Sequence, residues 1–257
     1  MLSEIIVAQP GADHSMDVYR FTHEHLLVKN RSIRQVISRK HDEGVVSNLQ
    51  WFNAYGYTIE LIIFLAMGYD ISISQADKPE QFAAEVEALK PKIVLADHKE
   101  LHALQTSSMQ FVERIFTDSE PVSPTLREEL ELRGISLHQS CGLNQLAGVF
   151  AVNTPNFEGT DIAGKMMKQR ATKWGTVGRP LPGTSVRVVD PANTSRVLNP
   201  GEVGRIIIRS ASTAITHLYQ YSQHSARQCE EWILTPFWGT IDKEGFLVMH
   251  SNQAFAK

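Results

Sequence analysis

From Glu4 to Leu137, short apolar runs alternate with segments whose apolar residues recur at helical spacing, and few folds accept that rhythm. Glu4–Ala8, Val45–Leu49, Ile71–Ser74, Lys92–Ala96, Ile115–Phe116 and Ile135–Leu137 read as strands. Thr22 is an N-cap candidate, with Leu26, Leu27, Ile33, Val36 and Ile37 at helical spacing after it. Gly56 to Met67 is apolar on nearly all sides, which describes a buried helix closed by Gly68. Pro79 to Leu89 places Phe82, Val86 and Leu89 on one stripe and Glu80, Glu85 and Glu87 elsewhere, and Pro124 to Leu132 is a further helix. Strand–helix–strand alternation calls for parallel strands joined by crossover helices. The region from Ser3 to about Leu137 is therefore expected to be a mainly parallel sheet flanked by helices.

Past about residue 174 the texture changes. Ser185–Val189 and Val203–Arg209 are β-rich and separated by the turns Asp190-Pro191 and Asn199-Pro200-Gly201, and Gly245–Met249 is another short strand. The polar stretch Asn153 to Trp174 reads as a surface loop. The expected fold class is α/β, with a mainly parallel sheet flanked by helices followed by a β-rich subdomain. The expected division is an α/β portion over 1–140 and a motif loop plus β-rich subdomain over 141–257.

Composition narrows the function. The 257 residues carry 28 acidic and 25 basic side chains, a net charge of −3 that argues against a nucleic-acid partner. Apolar residues at 42% and charged ones at 21% make an ordinary globular mixture. The apolar run Leu61–Met67 is far too short for a bilayer span, and the N-terminus lacks the basic region of a signal peptide. Cys141 and Cys229 alone make neither a disulfide framework nor a zinc site. A soluble, cytoplasmic protein is expected.

The most specific stretches are Gly175-Thr-Val-Gly-Arg-Pro-Leu-Pro-Gly-Thr-Ser-Val-Arg-Val-Val-Asp-Pro191 and Leu198-Asn-Pro-Gly-Glu-Val-Gly-Arg-Ile-Ile-Ile-Arg209. Together they resemble the adenylate-forming superfamily of acyl-CoA synthetases, luciferases and peptide-synthetase adenylation domains. There a Gly-x-Val-Gly-x-Pro-x-Pro-Gly loop leads into a strand and then into Pro-Gly-Glu-x-Gly. Val152-Asn-Thr-Pro155, Phe255 and Lys257 resemble the acyl–acyl-carrier-protein synthetase branch most closely. Weaker matches extend along the chain: Thr22-His23-Glu24-His25-Leu26-Leu27, Leu49 to Thr58, Cys141-Gly142-Leu143-Asn144-Gln145 and Trp232 to Gly245. The resemblance implies a partial core of the ligase fold. The family's upstream portion and its C-terminal lid, which carries a catalytic lysine, lie outside the chain, which stops near the family's hinge.

What the resemblance implies for chemistry is adenylation: a carboxylate attacks the α-phosphate of ATP, and amides, a cation and Mg²⁺ neutralise developing charge. Position by position, the polar groups have changed type. In the phosphate loop only Gly11 matches, Asp17 falls where a lysine belongs, and Pro10 removes a backbone donor. Asn53 stands where the family has a histidine near the acyl pocket, with Phe52, Tyr55 and Tyr57 around it most simply core packing. Cys141, Asn144 and Gln145 replace the Tyr, Thr and Glu that stack adenine, contact phosphate and hold Mg²⁺, while Gly142 and Leu143 are retained. Gln145 is neutral and lacks the hard anionic oxygen Mg²⁺ prefers. Phe237 replaces the aspartate that grips the ribose and cannot accept a hydrogen bond. His250-Ser251 replaces a Gly-Arg pair, and Asp118-Ser119-Glu120 aligns with the loop that brushes adenine.

The expected function is thus that of an ATP-dependent acyl-adenylate-forming ligase of fatty acid metabolism, catalytically impaired in this chain. The alternative is a pseudoenzyme or protein-interaction module that retains the fold. ATP and Mg²⁺ are the family's cofactors, with none expected to bind here. An acyl carrier protein or CoA is the acceptor by resemblance, and a protein partner over the truncated faces is a further expectation. Four other constellations carry less. His98 and His102 beside Asp97 have zinc-compatible spacing without a third ligand, and His23-Glu24-His25 would likewise need a distant partner. Cys141 near His138 suggests a thiol nucleophile without an orienting group. Lys165, Lys168, Arg170 and Lys173 make a solvated basic loop that can meet an acidic carrier protein.

Overall fold

The computed structural model describes residues 4–10, 16–37, 43–49, 56–118, 122–160, 162–214, 216–219, 227–229 and 232–250. Strand β1 (Glu4–Pro10) pairs antiparallel with β2 (Met16–Thr22), in register from Glu4↔Thr22 to Pro10↔Met16. This corrects the sequence expectation, because the first strand lies in a small antiparallel sheet and not in the parallel one. In β2, Tyr19 and Phe21 are buried while Val18 before them and Arg20 between them are only half-buried, so one face of the strand is covered more than the other. Helix α1 (His23–Arg34) follows at once. Its N-cap is Thr22, as expected: Thr22 Oγ1 accepts from the His25 amide, and the Thr22 amide donates to His25 Nδ1 at 3.1 Å. A histidine here does the work usually given to Glu in a capping box.

The central sheet begins with β3 (Gly44–Ser47). It continues through helix α2 (Tyr57–Leu65, wound as a π-helix), β4 (Asp70–Ile73), α3 (Pro79–Leu89) and β5 (Ile93–Leu95). Then come α4 (His98–Gln105), β6 (Arg114–Thr117), α5 (Pro124–Leu132), β7 (Ser136–Leu143) and β8 (Gly148–Val152). The spatial order is β8-β7-β6-β5-β3-β4, with β4, β3, β5, β6 and β7 parallel and β8 antiparallel to β7. Because β3 comes first but lies inside, the chain reverses its direction of travel between β3 and β5. That is a topological switch point, where doubly wound sheets leave a crevice at the carboxyl ends of their strands.

Period-two alternation distributes the core to both faces. Val46, Val94, Ile115 and Leu137 pack with Phe82, Val86, Leu101, Leu126 and Leu130 of α3, α4 and α5. Val45, Ile93, Leu95 and Phe116 pack on the other face with Ile33, Ile59, Ile63 and Phe64 of α1 and α2. Leu89 departs from its predicted stripe and is 53% exposed. It is the last residue of α3, and Lys90, at φ 51°, turns the chain away directly after it. At the amino ends of the strands, Arg114 Nη2 lies 2.5 Å from Glu43 Oε2, and the Tyr69 hydroxyl donates to the same oxygen at 3.3 Å, a buried network.

Beyond β8 the chain is antiparallel. The stretch expected to be a loop contains a hairpin, β9 (Phe157–Thr160) with β10 (Met166–Gln169). The sequence hides it because Met166 and Met167 stand side by side and exposed, so β10 shows no period-two alternation. The short β11 (Arg179–Pro180) extends the central sheet at β8. Then β12 (Thr184–Asp190), β13 (Asn193–Val197), β14 (Gly204–Ser210), β15 (Thr216–Tyr219), β16 (Arg227–Cys229), β17 (Trp232–Ile241) and β18 (Leu247–His250) follow. All of these except β15 form one sheet, ordered β13-β12-β14-β17-β16 with β18 on β17, while β15 joins β2. Ile206, Ile208, Ile233 and Leu247 pack against Cys141, Phe150 and Ala151, welding this sheet to the β7–β8 end of the first. At the join, Gly178 has φ +85°, and a Cβ there would fall 1.9 Å from the Val152 carbonyl carbon, so only glycine fits.

Candidate functional site

Two places compete for function: the motif positions at the end of β7, and a crevice at the switch point. Cys141 and Gly142 straddle a register shift near the end of β7, Leu143 closes the strand, and Asn144 and Gln145 begin a single tight turn. Cys141 is 1% exposed and belongs to the apolar cluster between the two sheets. Phe237 packs against the same cluster, its ring 6.3 Å from that of Phe150 at 31° between planes. Thr235, before it, is buried and donates to the Ile206 carbonyl at 2.7 Å, and the Phe237 amide donates to Thr235 Oγ1 at 3.1 Å. Gln145 is buried, and its carbonyl accepts from the Ala214 amide at 2.8 Å. Cys141 and Phe237 are thus gathered into one core.

Asp17 is placed by its backbone alone, opposite Gln9 in the β1–β2 hairpin. Gly11, Asn53, Ser119 and Glu120 lie outside the described residues. The side chains present at Cys141, Gln145 and Phe237 do not fit Mg-ATP, since they offer no carboxylate for the metal and no acceptor for the ribose.

The crevice past β3, β5 and β6 has a volume of about 450 Å³. Its walls include Asn48 after β3, Asp77 and Lys78 before α3, Asp97 and Glu100 on α4, and Asp118 after β6. Glu100 is 6% exposed, bonds Asn48 Nδ2 closely and accepts from the Asp97 amide at 2.9 Å. Burial pushes its carboxyl up to about 7 despite those bonds. It can therefore hold or release a proton near neutrality. Carboxylates outnumber ammonium groups along the lining, which repels a triphosphate, and its polarity suits no fatty chain.

The remaining sequence candidates separate. Asp97 caps α4, accepting from the Lys99 and Glu100 amides, so it is not free to join His98 and His102, whose rings meet edge to face at 5.2 Å. Among the described residues, no three His, Cys, Asp or Glu side chains are placed to hold a metal ion. His138 stacks on Phe116 at 4.8 Å and bonds the Asn153 carbonyl through Nδ1 at 3.1 Å. Burial holds it down at about 4, neutral at ordinary pH. Its stacking partner Phe116 belongs to the cluster under α1 and α2, whereas Cys141 belongs to the cluster between the two sheets. Lys173 is 2.6 Å from both Asp242 and Glu244, which removes it from the basic run.

Sequence reasoning missed Asn48, Glu100 and Lys29. Asp97-x-x-Glu100 is capping-box spacing and would have marked α4's start. Lys29 sits among Leu26 and Ile33 on the buried face of α1, a position only an interior residue occupies.

A parallel doubly wound sheet is joined through a Gly-rich turn to an antiparallel subdomain, an α/β architecture. Residues 20–218 match the profile of the AMP-binding enzymes, and the chain belongs to that family. It is 25% identical over 127 residues to a 2-succinylbenzoate–CoA ligase of Bacillus pumilus strain SAFR-032, covering 49% of this chain and 23% of that one. Among solved structures it resembles a benzoate CoA ligase from Burkholderia xenovorans LB400 with a TM-score of 0.76 at 18% identity, covering 93% of this chain and 47% of that one. It resembles the o-succinylbenzoate CoA synthetase of Bacillus subtilis, solved with ATP and magnesium ion, with a TM-score of 0.76 at 16% identity, over 97% of this chain and 50% of that one. The chain spans about half the length of these solved relatives and less than a quarter of the curated one. No helix among the described residues is long and apolar enough to cross a membrane.

Proposed function

We propose that this chain carries the scaffold of an ATP-dependent acyl-adenylate-forming ligase in which adenylation has been lost, so that its role is non-catalytic. One observation supports this above the others. Cys141 and Phe237, at the positions that would present a ring to adenine and a carboxylate to ribose, pack into a single apolar cluster around Phe150. Groups that stabilise charge in a transition state act as a unit, and losing several together is rarely made good. Gln145 adds the loss of the Mg²⁺ anchor.

The test is ATP–pyrophosphate exchange with Mg²⁺, offering benzoate, 2-succinylbenzoate and fatty acids in turn. The reading requires exchange no faster than an acid-free blank. Acid-dependent exchange would overturn it and restore the ligase activity of the family.

A further inference from the structure

A second cleft, of about 570 Å³, opens at the amino end of β7 between α5 and the end of the β9–β10 hairpin. Its lining takes in Ser136 to His138 of β7, and the first motif position, Cys141, lies three residues further along the strand, about 10 Å away. Arg127 of α5 holds its guanidinium 4.3 Å over the Trp174 ring, with Glu131 the nearest carboxylate at 3.6 Å from its Nε. Arg170 enters from the other side, its Nε donating to the Thr172 carbonyl at 3.0 Å. Asn156 uses only its oxygen, accepting from the Ala171 and Thr172 amides. Among the described residues, the terminal nitrogens of both arginines, Asn156 Nδ2 and the Ser136 hydroxyl make no hydrogen bond, while Glu131 is the one carboxylate in the lining.

Solvent-facing donors from three separate elements line one space. A planar carboxylate accepts in one plane, whereas a phosphoryl group offers three strong acceptor oxygens in different directions, and the arginine forks match it bidentately. Stacking on Trp174 pre-positions the Arg127 fork, which lowers the entropy lost on binding. We propose that the Arg127–Trp174–Arg170 cleft binds the phosphoryl group of a phosphate monoester. The cleft is independent of the adenylation motifs and keeps its meaning whether or not they are active.

Inorganic phosphate and methyl phosphate, titrated into the whole chain with ¹⁵N-labelled tryptophan at ionic strength fixed by sodium chloride, provide the test. One indole resonance, assigned to Trp174 by its absence in Trp174→Phe, is expected to shift saturably. Arg127→Gln and Arg170→Gln are each expected to weaken binding by about tenfold, the loss of one charge-assisted contact. Arg187→Gln, on the outer β-sheet, is expected to change nothing. If an arginine variant does not fold, the wild-type titration still decides. No saturable shift, a shift at another tryptophan, an equal response to acetate, or binding that survives both arginine substitutions would overturn the proposal.

Discussion

The ammonium of Lys29, wholly enclosed on α1, donates to the main-chain carbonyl of Val149 on β8 at 2.7 Å. Burial depresses it from the ordinary 10.5 to about 7, because an apolar surrounding penalises the charged form. The unfolded chain binds this proton over a range where the folded chain does not, so stability rises with pH between about 7 and 10.5. From pH 7 to 9.5 the gain is on the order of 3 kcal/mol. Lys29→Met is expected to flatten that slope and to raise stability at pH 7 by about 1–3 kcal/mol. Urea midpoints across the range check it; a slope that persists in the variant would assign the effect to another group.

Glu100 gives the opposite dependence. Its carboxyl is raised from 4.5 to about 7, chiefly by burial, so the folded chain holds the proton longer than the unfolded one. The stability it contributes is full below 4.5 and is lost as pH climbs through about 7. Glu100→Gln removes the titration but has only one oxygen for the two donors, Asn48 Nδ2 and the Asp97 amide, so a constant loss at every pH is expected. Alongside that loss, the variant is expected to gain roughly 1–3 kcal/mol, relative to the parent, between pH 4.5 and pH 8. Thermal melts at both values read this directly.

Gly178→Ala is expected to cost at least ~2 kcal/mol, because the new Cβ meets the Val152 backbone and the positive φ disfavours any side chain. Gly201→Ala is the control. Its φ is +91°, but a Cβ there meets nothing within 4 Å, so only backbone strain remains and the loss stays near 1 kcal/mol. Equal losses in the two variants would mean that the chain relaxes around the Val152 contact.

Mg-ATP is expected to give no saturable heat in isothermal titration at millimolar concentration. Millimolar affinity amounts to only ~4 kcal/mol in all, which the loss of a metal anchor at Gln145 and of a ribose acceptor at Phe237 is sufficient to remove. A dissociation constant below about 1 mM would show that other groups on this chain bind the nucleotide.

Much of the architecture is readable before any coordinates. Pro79 and Leu89 bound α3, and Pro124 and Leu132 bound α5, as the helical spacing and the N-terminal prolines indicate. The buried strands β5 and β6 show as short apolar runs because both of their faces are covered. What stayed hidden lacks such periodicity. In β2 the apolar residues Val18, Tyr19 and Phe21 are too few and too unevenly spaced to show a clear period, and in β10 the apolar Met166 and Met167 are adjacent and exposed, so neither leaves an apolar alternation. At the motif positions the residue types told which polar groups were missing. That Cys141 and Phe237 share a core with Phe150 depends on two sheets meeting, and no local pattern encodes it.

The pairing of β15 with β2 sets a timetable for synthesis. The parallel sheet has all its strands once Leu143 has been made, but Arg20 cannot meet Thr216 until nearly two hundred further residues have followed it. Through that interval the β1–β2 ribbon waits with one edge open, and two strands by themselves are barely stable in water. An unpaired edge on a nascent chain is an invitation to pair with the wrong neighbour. Slow translation between residues 143 and 216 lengthens that exposure, and a chaperone that shields the β2 edge until β15 arrives shortens it.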